Sequence, residues 1–169
     1  MTMNLYILRH GIAVEPGTPG YEKDADRPLT SEGRRKLRQV AEAMEALELS
    51  YDLILSSPYL RARQTAEVIA EALKARKKVE LSDSLTPGGS PRKLVELLNH
   101  LQPSPESVLL VGHEPYLSSL ISLLVSGDAG FTVVMKKGGL CKLSVESLKA
   151  GRCAALEWLL TPKQMALMG

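Results

Sequence analysis

Three short apolar runs, at residues 5–8, 53–55 and 108–111, with a weaker one at Val79–Leu81, are separated by stretches in which apolar residues recur every three or four positions. Runs of this length bounded by polar residues suit buried strands, and the intervening period suits amphipathic helices. Their regular alternation restricts the chain to the α/β class.

The first strand is expected at residues 4–9, followed by a polar loop carrying Pro16, Gly17, Pro19 and Gly20. A helix is expected from Thr30-Ser31-Glu32, where either hydroxyl can cap it, with Leu37, Val40, Ala41, Met44 and Leu47 forming its apolar face. Arg34, Arg35, Arg38 and Glu42 form its solvated face. After the second strand, Ser57 reads as an N-cap and Pro58 as the first helical residue, with Ala66, Ile69, Ala70 and Leu73 inward. Ser90-Pro91 opens another helix reaching to about Leu101, and a further one is expected over Tyr116–Ser126. Residues 131–160 read as β-rich, with Gly138-Gly139 and Ala150-Gly151 as turns, and residues 162–168 as a short terminal helix.

Three of these strands end in the same chemistry. The first runs into Arg9-His10-Gly11, the second into Ser56-Ser57-Pro58 with Arg61 one turn on, and the fourth into Gly112-His113. Open α/β sheets bind ligands beyond the carboxyl ends of their strands. Two arginines and two histidines from distant segments would therefore meet at one edge. Arginine presents a planar fork of donors that matches phosphate oxygens, and histidine is the side chain most readily held neutral and nucleophilic near neutral pH. Helix N-termini add free N–H groups and partial positive charge. The arrangement suits a doubly charged phosphoryl group.

Composition narrows the alternatives. The 169 residues are read as one domain, residues 1–169, large enough for a substantial core. A net charge of +2 and 4% aromatic residues give no footprint for nucleic acid. Cys141 and Cys153 lack Cys-x-x-Cys spacing and companion ligands, so they read as ordinary thiols rather than a zinc site. The first basic residue follows the first apolar run instead of preceding it, and residues 108–125 are interrupted by His113, Glu114, Pro115 and serines. Neither a secretory signal nor a membrane span is expected, which makes a cytoplasmic location the default.

The motifs Leu8-Arg9-His10-Gly11, Ser56-Ser57-Pro58-Tyr59-Leu60-Arg61-Ala62-Arg63-Gln64-Thr65-Ala66 and Val111-Gly112-His113-Glu114-Pro115 resemble those of the histidine phosphatase superfamily, which includes cofactor-dependent phosphoglycerate mutases. Asp26-Arg27-Pro28-Leu29-Thr30-Ser31-Glu32-Gly33 and Leu85-Thr86-Pro87 with Gly88-Gly89-Ser90-Pro91 are similar to its compact phosphohistidine phosphatase branch, the SixA type. The resemblance implies a three-layer sandwich, a mostly parallel mixed sheet with helices on both faces. It also implies that His10 carries the phosphoryl group while Arg9, Arg61 and His113 hold its oxygens, with no metal and no cofactor. Gly11 and Glu114 stand beside them as substrate-binding candidates, Glu114 orienting His113 or capping the next helix.

One departure bears on the substrate. Many superfamily members carry a carboxylate after the third strand that protonates an alkoxide leaving group; the matching region here reads Ser82-Asp83-Ser84-Leu85-Thr86-Pro87, with Asp83 placed in a strand-to-loop turn. An alcohol leaves as an anion whose conjugate acid has a pKa of roughly 16, whereas imidazole, with a conjugate-acid pKa of about 6.5, leaves far more easily. The resemblance therefore implies a phosphorylated protein substrate, a histidine-phosphotransfer domain of two-component signalling being the suspected partner. The alternative is a small-molecule phosphomonoesterase or mutase using Asp83 or an acid of the 15–26 loop, where Glu22, Asp24 and Asp26 could approach the mouth. A non-enzymatic phosphate-binding module would need no nucleophile. A metal hydrolase lacks carboxylates at ligand spacing from His10 and His113. Arg63, His100, Lys136, Lys137 and Trp158 read as surface, helix-end or core residues; the lysine pair could also receive an acidic protein surface.

Overall fold

The computed structural model describes residues 2–169. Its elements in chain order are β1 (Met3–Arg9), α1 (Ser31–Ala46), β2 (Leu53–Ser56), α2 (Leu60–Ala72), β3 (Val79–Leu81), α3 (Pro91–Asn99), β4 (Ser107–Gly112), α4 (Tyr116–Ser126), β5 (Leu140–Val145), β6 (Ala154–Leu160) and α5 (Pro162–Met165). The six strands form one mixed sheet in the order β3-β2-β4-β1-β5-β6. The first four strands are mutually parallel, and β5 and β6 add antiparallel to β1's other side.

Each central strand is apolar throughout because both of its faces are covered. Leu5, Ile7, Leu55, Val108 and Leu110 pack on one side against Leu94 and Leu98 of α3 and Leu117 and Ile121 of α4. Tyr6, Leu8, Ile54, Leu109 and Val111 face the other way, against Val40 and Met44 of α1, Ala66 and Ile69 of α2 and Met165 of α5. The result is the α/β three-layer sandwich, helices on both faces of a mostly parallel mixed sheet.

Register brings the strand ends together. Arg9 pairs with Gly112 and Ser56 with Val111, so β1, β2 and β4 finish within about a residue of one another. The N-terminus of α1 is pulled onto the turn after β1. Thr30 caps the helix by accepting from Gly33 N–H, and its own N–H donates to the Ile12 carbonyl at 2.9 Å. A Cβ at Gly33 would lie 2.2 Å from that carbonyl oxygen, which leaves room only for glycine.

The structure revises four expectations. Ser57 does not cap α2: Tyr59 precedes the helix, and the Ser57 hydroxyl accepts from Tyr59 N–H at 3.2 Å within a tight turn. Leu47 lies one residue beyond α1 and is 40% exposed, off the apolar face. The helix opened by Ser90-Pro91, with Ser90 as its cap, stops at Asn99, with His100 at its C-cap. Residues 131–137 alternate in burial like a strand but stay outside the sheet, because β4 and β5 already occupy both edges of β1.

Candidate active site

Backbone contacts fix the end of β1 before any side chain is considered. Arg9 N–H donates to the Gly139 carbonyl at 3.1 Å, and the Arg9 carbonyl accepts from Gly138 N–H at 3.0 Å. His10 N–H donates across to Gly112 of β4 at 3.0 Å. Gly11 then turns the chain under α1, where an added Cβ would sit 2.8 Å from Leu37 Cδ1. Its N–H donates to Thr65 Oγ1 at 3.1 Å, and that hydroxyl donates to the Arg61 carbonyl at 2.7 Å. Thr65 thus ties the turn after β1 to the first turn of α2. Gln64 Oε1 makes a parallel tie by accepting from Leu29 N–H at 2.8 Å.

These ties enclose a cavity of about 380 Å³ at the carboxyl ends of the parallel strands. Arg9, His10, Arg61, His113 and Glu114 line it, as do Glu15, Asp24, Arg27 and Lys137. The two imidazole rings stand 5.3 Å apart, and the Tyr59 ring meets His113 edge-on at 5.4 Å.

His10 is 6% exposed. Its Nδ1 lies 2.7 Å from the Gly11 carbonyl, which can only accept, so Nδ1 carries the proton. Nε2 keeps its lone pair. Burial, reinforced by the nearby Arg61, Arg9 and Lys137 cations, lowers the His10 pKa to about 4, against the pull of the Gly11 carbonyl. His10 is therefore neutral at pH 7. His113 is also buried, with Nε2 2.8 Å from the Ser57 hydroxyl. Desolvation first, then Arg61 and His10, lower its pKa to about 3, so it too is neutral.

The arginines are anchored by part of their guanidinium groups. Arg9 Nη1 donates to the Met135 carbonyl at 2.9 Å. Arg61 Nη1 donates to the Asp24 carbonyl at 2.8 Å, and its Nη2 pairs with Asp24 Oδ2 at 3.1 Å. Asp24 also receives Arg27 Nε and Nη2 on Oδ1. Those hydrogen bonds, to Arg27 and to Arg61, outweigh burial and keep its carboxyl below the usual range. Among the described residues, three buried nitrogens of this site have no hydrogen-bond partner: Arg9 Nε, Arg61 Nε and His113 Nδ1. Buried polar groups are nearly always paired, so three orphans around one cavity call for a ligand with several oxygens.

Of the residues singled out from sequence, the structure brings Arg9, His10, Arg61, His113 and Glu114 to one cavity. Gly11 lies behind it as the turn. Glu114 Oε1 accepts from Ser118 N–H at 2.7 Å and so caps α4. Asp83 is exposed in a 3₁₀ turn and does not line the cavity; neither do Glu22 and Asp26. Asp24 does. Arg63 pairs with Glu67 at 3.3 Å, and His100 Nδ1 meets the Glu96 carbonyl at 2.6 Å. Trp158 is half-buried beside Tyr6. Glu15, at the start of the 15–26 loop from which the alternative reading draws an acid, lines the cavity, whereas Ser57 and Arg27 were not among the expected site residues. Arg27 lay inside a quoted motif, which is the one signal that marked it. Among the described residues, no group of three or more His, Cys, Asp or Glu is arranged to hold a metal, and no helix is long and apolar enough to cross a membrane.

Comparisons with known proteins bear on the family and the fold. The family model of the histidine phosphatase superfamily (branch 1) matches residues 5–86. An uncharacterized protein of Picosynechococcus sp. is 37% identical over 142 residues, 83% of this chain and 84% of that protein. The phosphohistidine phosphatase SixA of Escherichia coli K12 is 31% identical over 127 residues, 75% of this chain and 76% of its own. The solved structure of the protein histidine phosphatase SixA complexed with tungstate superposes with a TM-score of 0.79 at 26% identity, covering 95% of this chain and 98% of that one.

Proposed function

Because the chain belongs to the histidine phosphatase superfamily, we propose that it is a phosphohistidine phosphatase that works through a covalent intermediate on His10. The observation that carries this is the set of three unpartnered buried nitrogens beside a neutral histidine with a free Nε2 lone pair. The tungstate complex of the similar SixA places a tetrahedral oxyanion in a protein of this fold.

In the first half-reaction Nε2 of His10 attacks phosphorus, and the P–N bond to the substrate imidazole breaks. The substrate imidazole, protonated on its other nitrogen, leaves as the neutral ring and keeps the electron pair, so no proton is needed for its departure. Arg9, Arg61 and His113 donate to the phosphoryl oxygens and stabilise the charge that spreads over them. The Gly11 carbonyl, held against Nδ1–H, orients the ring and stabilises the cationic phospho-imidazole. In the second half-reaction water attacks phosphorus, the P–Nε2 bond breaks, and both of the water's protons leave with inorganic phosphate as the dihydrogen anion. His10 returns to its neutral form. No step requires a metal, because fixed guanidinium groups supply the charge.

The substrate reading rests on the carboxylates. Asp24 is ionised between two guanidiniums and is a poor acid, Glu114 is engaged at the start of α4, and Asp83 lies outside the cavity. A good leaving group such as imidazole fits a site so equipped. The names of the SixA relatives, phosphohistidine phosphatase and protein histidine phosphatase, support the same substrate class; within it, we propose a cytoplasmic histidine-phosphotransfer domain as the partner. A second reading, a small-molecule phosphomonoesterase, is favoured by Glu15 alone, which lines the cavity and makes no side-chain hydrogen bond.

The test compares phosphate release, without added metal, from a labelled phosphohistidine-bearing phosphotransfer domain and from an aryl phosphate. Rapid release from the protein and slow release from the ester is the expected outcome. Ester turnover at least as fast, abolished by Glu15→Gln, would establish the second reading instead.

A further inference from the structure

We propose that the extended segment at residues 131–137 is a docking surface for an acidic protein that presents the phosphorylated histidine; this rests on the reading above that the substrate is a phosphoprotein. The inner side of the segment is already part of the site. Its Met135 carbonyl anchors Arg9, Gly138 just beyond it binds the Arg9 carbonyl, and Lys137 lines the cavity. Whatever seats on the outer side therefore lies directly beside the phosphoryl pocket.

That outer side has features that folding does not explain. Phe131 and Val133 pack on the core and Met135 is buried, so the inward positions are accounted for. Val134 points the other way and is 65% exposed, between exposed Thr132 and Lys136. Among the described residues, the main-chain N–H and C=O groups of Thr132, Val133 and Val134 meet no protein partner, and Lys136 and Lys137 form no ion pair. A single exposed valine is ordinary. A valine on a segment outside the sheet, beside two unneutralised lysines of which Lys137 lines the cavity, is a coherent recognition surface.

Charge identifies the partner. On the 15–27 loop, Glu15 and Asp24 line the cavity, and Asp24 is committed to Arg27 and Arg61, while Glu22 and Asp26 stand exposed farther out. The mouth thus has Lys137, with Lys136 beside it, on one side and the uncommitted Glu15, with exposed Glu22 and Asp26 beyond it, on another. An acidic protein is drawn to residues 131–137 and repelled from the 15–26 loop, which gives it one orientation. A basic partner would be placed the other way round, over a loop whose best carboxylate is already taken.

The test uses the full chain carrying Lys136→Glu and Val134→Asp together, two exposed positions outside the catalytic machinery. Phosphate release is measured from an acidic phosphohistidine-bearing phosphotransfer domain and from free N-phosphohistidine, the amino acid. The proposal expects kcat/KM for the protein to fall about 10-fold or more, the scale of lost electrostatic steering and contact, with free phosphohistidine turnover unchanged. It also expects added salt to slow the wild-type reaction with the protein more than the variant's. A variant that matches wild type on the protein, or loses both substrates equally, overturns the docking surface and leaves the phosphatase reading standing. A wild type inert toward both probes overturns the phosphohistidine reading and this proposal with it.

Discussion

The two ends of the parallel sheet use polar residues in opposite ways. At the amino ends, side chains close loops. Asp52 Oδ2 accepts from Glu106 N–H at 2.8 Å and Ser107 N–H at 3.0 Å, and the Ser107 hydroxyl donates to the Ser50 carbonyl at 2.7 Å. At the carboxyl ends, Arg61 and His113 are buried and Arg9 is half-buried, each with a buried nitrogen left unsatisfied. Burying such groups unpaired costs stability. One end of the sheet is built to hold itself; the other, on the proposed function, holds an anion. The same strands impose both, because parallel register brings three strand ends to one line.

This contrast can be broken from either side. The largest effect is expected at the carboxyl end. Arg61→Ala should reduce turnover about 10²- to 10³-fold, the usual cost of removing one charge-stabilising donor, while thermal stability holds or rises, since a desolvated cation is removed. A loss of stability matching the loss of activity would show that Arg61 is structural.

A second test follows the two histidines. With the His10 pKa near 4, the nucleophile stays neutral from pH 8 down to pH 5, so the acid limb of kcat/KM should fall near 4 and not near 6.5. Stability carries the same sign. The unfolded histidines take up protons near pH 6.5 and the folded ones only near 4 and 3, so stability is full above pH 6.5 and declines as pH falls toward 4. Urea midpoints in that window should fall less for His113→Gln than for wild type; equal slopes would contradict the assigned burial of charge.

The smallest effect belongs to the amino end. Asp52→Ala should cost about 1 kcal/mol of stability, the worth of a surface hydrogen-bonding clip, read as a shift in the urea midpoint, with turnover unchanged. A drop in turnover would mean that the two ends are coupled through the strands.

What the sequence makes legible follows the same division. Strands β1, β2 and β4 and the residues at their ends are readable, because a buried apolar run has no packing use for Arg-His or Gly-His at its end. Two of the Ser-Pro pairs show where local reading stops. Ser90-Pro91 caps α3 as its pattern dictates, whereas Ser57-Pro58 forms a turn and gives the Ser57 hydroxyl to His113, a partner 56 residues away. Asp24, Arg27, Glu15 and Lys137 reach the cavity through loops, which carry no period to place them. Residues 131–137 carry a strand's alternation without a strand's neighbours. Sheet order decides that, and no local pattern encodes it.

The central claim is that His10 Nε2 takes the phosphoryl group. We would stop the reaction with labelled phosphotransfer domain under alkaline conditions during turnover and locate the label by peptide mass spectrometry. The account predicts acid-labile phosphate on His10, on the wild type and not on His10→Ala, which should also be inactive. Full turnover with no label on His10, or activity retained by His10→Ala, would contradict it.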